Sequence, residues 1–279
     1  MFLEVIKFII YSGLIVLVSK YILVKNLRNL GENLNLRPKA IGEVAGIATS
    51  IPELITISVS SFSGLINTSI FNVLSSNIIN VLQYITSIVI NKNIRKIKNK
   101  AIKVDMLMIA FTIIIPILLI LLNIEMNKAL IPIFIFLYIF FRAISRIAHI
   151  KYLKAENEKI EDIVLMKEKN RKKQVAKVIK NILFILITGI VLFYLGDLLG
   201  SVIESLAIIF NIPQFIIGLF LGIVTSIPEF ITFFEAQRHY NKQDTDTMYG
   251  VIEATNNLFT SNILNIFIIQ SIGIYIYFL

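Results

Sequence analysis

The chain has 279 residues, 56% of them hydrophobic and none of them cysteine or tryptophan, and its 27 Lys and Arg outnumber 18 Asp and Glu to give a net charge of +9. The absence of cysteine excludes disulfides and thiolate metal sites. Charge gathered in short runs between long apolar segments excludes a soluble globular fold and marks an all-α polytopic membrane protein. Those basic residues follow the loops, with no basic face interleaved with aromatics, so nucleic acid is excluded as a partner.

A bilayer core is crossed by about 20 apolar residues in helical form. Taken in chain order, about eight transmembrane helices are predicted, over approximately 3–24, 39–63, 66–91, 104–123, 129–148, 178–209, 212–236 and 248–279. The first is expected to be retained, because Met1-Phe2-Leu3-Glu4 has no basic stretch and no small-residue cleavage site follows. With loops numbered alternately, one side receives Lys25, Arg28, Arg37, Lys39, the run Lys92 to Lys103, the charged linker, Arg238 and Lys242. The other side has little more than Lys7 and Lys128. This asymmetry predicts a multi-pass protein of the cell (inner) membrane with a cytoplasmic basic side and an external N-terminus. Residues 1–149 form a first membrane unit with helices 1–5, 150–177 a cytoplasmic charged linker, and 178–279 a second unit with helices 6–8. The linker mixes both charges around Ile160, Ile163, Val164 and Met166, which reads equally as a helix on the membrane surface or as solvated chain.

The pentapeptide Thr49-Ser50-Ile51-Pro52-Glu53 recurs as Thr225-Ser226-Ile227-Pro228-Glu229. One constant offset also superposes Gly13 on Gly189, Gly42 on Gly218 and Gly46 on Gly222. After a small insertion Ser76-Asn77-Ile78-Ile79-Asn80 lies over Ser261-Asn262-Ile263-Leu264-Asn265. Each unit is thus a long helix, a helix broken at the pentapeptide, and a helix carrying SNxxN. Five spans separate equivalent helices, so the two units have opposite orientation, an arrangement of secondary transporters whose broken helices mark a midplane site.

Pro52 and Pro228 lack an N–H and open the helix near Ala48 and Val224, freeing carbonyls that need another partner. Glu53 lies roughly 20 Å into its span at the helical rise, near mid-bilayer. A carboxylate there costs at least ~2.5 kcal/mol and is functional by default. No Lys or Arg sits at comparable depth in the same spans, which leaves a metal cation as the missing partner of Glu53 and Glu229. Ser76 with Asn80, and Ser261 with Asn265, are four apart and share a helix face. With the hydroxyls of Thr49, Ser50, Thr225 and Ser226 they surround two carboxylates with neutral oxygens, a set suited to hard cations such as Ca2+ and unsuited to zinc or copper. Two carboxylates match one divalent charge, so Ca2+ and Na+ compete for one neutralised site. No resident cofactor is expected beyond these transported ions.

Plainer readings exist for several residues. Ser50-Ile51-Pro52-Glu53 is also a capping box, the SNxxN faces also serve as helix-to-helix glue, and Gly42, Gly46, Gly218 and Gly222 read as helix contacts. Asp197, Glu204, Glu235 and Glu253 fall near span ends and are expected to be solvated, with Glu253 notable for opening the helix of Ser261. His149 and His239 are expected at the surface.

The paired G-xxx-G-xx-TSxPE strings, each followed by an SNxxN helix, resemble the sodium/calcium exchanger family of the cation/calcium antiporter superfamily. The resemblance implies an inverted-repeat exchanger fold and a calcium antiporter. In it Glu53 and Glu229 bind Ca2+ centrally, and Thr49, Ser50, Ser76, Thr225, Ser226 and Ser261 supply further oxygens. It also implies that helices 1 and 6 slide across the core, and that the chain is not an enzyme. Departures are present: the second motif helix reads Phe71-Asn72 and Ser75-Ser76-Asn77, then Asn256-Asn257 and Thr260-Ser261-Asn262, where the family has glycines. Asn265 stands where many microbial members have Asp. No glutamate matching that of calcium/proton exchangers follows Asn72 or Asn257, which favours sodium as counter-ion. The family has ten helices, so the short second unit is expected to cover its flank by homo-oligomerisation or to be impaired. A proton or monovalent-cation antiporter, and a non-transporting membrane component, remain the alternatives.

Overall fold

The computed structural model describes residues 2–34, 36–62, 64, 66–152, 171–209, 216, 222–223, 225–242 and 248–279, and among these there is no strand. The first helix, α1 (Phe2–Val18), passes through a π-helical turn at Ser19–Leu23 into α2 (Val24–Asn33). The broken helix follows as α3 (Pro38–Thr49) and α4 (Ile51–Phe62), and the third helix as α5 (Ile66–Ile90). Next come α6 (Lys100–Leu121), α7 (Leu130–Tyr152) and the long α8 (Arg171–Ile209). The chain ends with α9 (Ile227–Lys242), α10 (Met248–Ile263), a π-helical segment Leu264–Ile269 and α11 (Gln270–Tyr277).

Local chemistry explains the boundaries. Arg37 is extended (φ −67°, ψ 152°) as the residue before a proline must be, and Pro38 opens α3 at a position whose N–H has no helical partner in any case. Gly64, at φ +78°, makes the left-handed turn between α4 and α5. Asn99 caps α6 by accepting the Ala101 N–H at 2.9 Å.

The two units pack as inverted copies. α1 lies along α8, α3 along α10, α4 against α11, and α9 against α5, so each element meets one from the other unit. Glycines permit these approaches. A Cβ on Gly46 would lie 2.7 Å from the Asn257 carbonyl oxygen and 2.8 Å from Thr260 Cβ. One on Gly222 would lie 2.8 Å from the Asn72 oxygen and 2.7 Å from Ser75 Cβ, the equivalent partners in the other unit. Around these contacts one core runs from Ile57 and Tyr84 through Phe233 and Phe259 to Phe267. A second, built on Ile15, Leu23, Leu27, Ile185 and Leu192, joins α1 and α2 to α8.

Among the described residues six helices are long and apolar enough to cross a membrane, Pro38–Phe62, Ser69–Ile90, Lys100–Leu121, Leu130–Tyr152, Lys177–Val202 and Met248–Tyr277. Of the eight expected spans, 3–24 is helical throughout without joining these six, and 212–236 falls partly outside the described residues. The linker expectation lies largely outside them too, because 153–170 are not described, while α7 reaches Tyr152 and α8 begins at Arg171. Two expectations are corrected. His149 is buried, its Nε2 2.6 Å from Asp105 Oδ2, because α6 delivers an acid opposite α7's last turns. Glu253 is 5% exposed inside α10, since α3 packs over that face through Gly42. Asp197 is exposed and Glu235 half-buried beside Arg238 at 3.6 Å, as solvated residues should be. His239 is half-buried with its ring edge on Tyr240, and the side chain of Glu204 lies outside the described ones.

Candidate cation site

At both pentapeptides the chain breaks in the same way. Ser50 N and Oγ both donate to the Gly46 oxygen, at 3.2 and 2.8 Å, and Ser226 repeats this on Gly222 at 3.3 and 2.8 Å. The capping-box reading is therefore corrected: the serine hydroxyl turns back onto the preceding half-helix instead of forward to the glutamate amide. The missing N–H of Pro52 leaves the Ala48 carbonyl without its amide partner four residues on.

All ten residues singled out by sequence are buried: Thr49, Ser50, Glu53, Ser76, Asn80, Thr225, Ser226, Glu229, Ser261 and Asn265. They meet across the two units. Glu229 lies within electrostatic range of Glu53, the Thr225 side chain is beside Glu53, and Thr49 is beside Glu229. Neither hydroxyl is in regular hydrogen-bond geometry to its carboxylate; Thr49 Oγ1 donates to Ala45 O at 3.0 Å and Thr225 Oγ1 to Gly222 O at 3.4 Å. Ser76 and Ser261 do likewise, donating to Val73 O at 3.1 Å and Leu258 O at 3.2 Å. A hydroxyl has one proton and two lone pairs, so all six present acceptors only.

The asparagines form a crossed clamp that sequence inspection missed. Asn80 Nδ2 donates to Asn262 Oδ1 at 3.1 Å, and Asn265 Nδ2 to Asn77 Oδ1 at 3.3 Å. Asn77 and Asn262 also exchange bonds with each other's backbone, at 3.3 and 3.1 Å. The signal was present, since the second residue of each SNxxN string is itself an Asn, but the i,i+4 spacing singles out the outer pair. With their amides committed, Asn80 and Asn265 retain unpartnered Oδ1 atoms. Both oxygens of Glu53, both of Glu229, and Oδ1 of Asn72 and Asn257 are also buried without a hydrogen bond, as is one donor, Nδ2 of Asn72. The orphaned oxygens fall in equivalent pairs, which ties them to the repeat. One asymmetry is local: the π-helical winding starts beside Asn265, whereas Asn80 lies in regular helix.

Such an excess of buried acceptors over donors is costly unless a cation supplies the opposite charge. Among the described residues no group of three or more His, Cys, Asp and Glu is placed to hold a metal ion, so carboxylates alone do not make this centre. Arg142 from α7 does not neutralise it either, being engaged with Glu43 at 3.2 Å and Thr260 at 3.4 Å.

Inverted helical units with broken helices meeting around buried acceptors define a multi-pass membrane transporter rather than an enzyme. Residues 5–146 and 180–278 match the family model described as sodium/calcium exchanger protein, and the chain belongs to that family of cation antiporters. The fold is that of the sodium-calcium exchanger NCX_Mj. Its structure soaked with 10 mM Na+ and zero Ca2+ aligns at TM-score 0.59 and 18% identity over 99% of this chain and 84% of that one. Another, soaked with 100 mM Na+ and 10 mM Sr2+, aligns at TM-score 0.60 and 18% identity over 99% and 83%. No curated protein matches the chain by sequence.

Proposed function

We propose that the protein exchanges Ca2+ for Na+ through the site between the two pentapeptides and the two SNxxN helices. The observation that carries this reading is the polarity of the site: Glu53 and Glu229 are fully buried without a partner while the surrounding hydroxyl protons all point away to backbone carbonyls. In this reading the glutamates hold the central Ca2+, and Thr49, Ser50, Ser76, Asn80, Thr225, Ser226, Ser261 and Asn265 complete an all-oxygen shell of the flexible kind that calcium accepts. Sodium, with the same preference for oxygen, displaces it, and the buried carboxylates oppose a return of the empty carrier because uncompensated charge is expensive there. Binding of either ion thus permits the change of access, with α1 and α8 sliding over the core.

The test is radioactive calcium uptake into sodium-loaded proteoliposomes, with and without an outward sodium gradient, for the native chain and for Glu53→Gln and Glu229→Gln. Gradient-driven uptake abolished by either substitution is the expected result. Uptake that follows a proton gradient and ignores sodium would reassign the counter-ion, and no flux from folded protein would sink the exchanger.

A further inference from the structure

A cavity of about 860 Å3 lies at the basic end of the molecule, between the start of α3, the second half of α7 and α10. Arg37, Lys39, Arg142 and Arg146 line it against one carboxylate, Glu43, which Arg142 already engages at 3.2 Å. Lys39 lies within electrostatic range of Asp105 and Glu43 and of Arg142 and Arg146, and among the residues that line the concavity four cations face the one carboxylate of Glu43. The His149 ring on the same wall is taken by Asp105. Cations in this number would repel Ca2+ and Na+, and the cavity is therefore no vestibule for the transported ions.

Two further features select an anion with hydrogen-bond acceptors. The Ser145 hydroxyl lines the cavity, is 2% exposed and has no hydrogen-bond partner. Lys39 and Ala40 also line it, and as first-turn residues of α3, which has no side-chain cap, their N–H groups lack helical acceptors. The rim is apolar: Ile147 and Ile150 line the same cavity and are 63% and 58% exposed. We propose that this cavity binds a phosphate group, carried by an anionic phospholipid whose chains lie along Ile147 and Ile150. The site is separate from the exchange reaction and stands whether or not that reading does.

The experiment is native mass spectrometry of the intact chain in detergent with phosphatidylglycerol or phosphatidylcholine of identical acyl chains, and with inorganic phosphate alone. Phosphatidylglycerol is expected to be retained over phosphatidylcholine. Arg146→Gln and Lys39→Gln should each weaken retention about fivefold, the factor expected of one cation near an anionic headgroup. Ser145→Ala should weaken it too, whereas Lys128→Gln, outside the cavity, should not. Binding of inorganic phosphate that displaces phosphatidylglycerol and is lost in the same variants would keep the phosphate site but assign it to a soluble anion. Equal retention of both lipids without phosphate binding, or undiminished phosphatidylglycerol retention in monodisperse Arg146→Gln and Lys39→Gln, would overturn the proposal.

Discussion

At the scale of single residues, the unpartnered atoms at the site are oxygens apart from Nδ2 of Asn72, while the amides of Asn80 and Asn265 and the six hydroxyls are engaged, and this sorting is what a cation requires. The Asn77 and Asn262 amides do the sorting, since each orients the outer asparagine of the opposite unit so that its Oδ1 remains available. Asn77→Ala would leave Asn265 Nδ2 without that acceptor and cut the cross-unit bonds. A cost of about 1 kcal/mol is expected for such interhelical bonds, read as a lowering of Tm by about 2–4 °C. Asn262→Ala should behave alike. An unchanged Tm in both variants would show that the clamp contributes nothing to packing. Serine at 76 and 261 was legible from sequence as part of a polar face; the direction of its proton was not, because that depends on which carbonyl the helix presents behind it.

At the scale of elements, the two breaks and the two glycine contacts are coupled. The chain breaks at Ser50 between α3 and α4, just ahead of Pro52, and Gly46 allows α3 to sit on α10 beside Ser261. Gly46→Ala places a methyl against backbone and Thr260, for which a loss of about 1–3 kcal/mol is expected from overpacking. Gly13→Ala, with nothing within 4 Å of the new Cβ, should be neutral or stabilising, and the two thermal unfolding curves measured side by side check the difference. If Gly46→Ala is as stable as Gly13→Ala, the close approach of α3 to α10 is wrong. Pro52→Ala restores an amide that can bond the Ala48 carbonyl, so the helix is expected to straighten and calcium flux to fall at least tenfold, the size of effect that small misplacement of a site produces. Flux at the native rate would show that the break is dispensable.

At the scale of the whole molecule, a chain without cysteine makes orientation directly testable. Lys128→Cys is expected to react with an impermeant maleimide added outside intact cells, and Lys98→Cys only after permeabilisation, both positions being exposed. The reverse pattern would invert the molecule. Composition and hydropathy sufficed for an all-helical membrane fold, because about 20 apolar residues have few other stable environments. The twin pentapeptides were enough to single out Glu53 and Glu229, both buried in the structure, because a proline and a carboxylate at that depth conflict with a plain span wherever they occur. What only the tertiary structure decided were relations between distant segments: the crossed asparagines, the burial of Glu253 under α3, and the pairing of His149 with Asp105. None of these leaves a period or spacing in the chain. They arise where helices from the two units, or α6 and α7 within one, meet face to face, and the identity of the facing residue is set by packing alone.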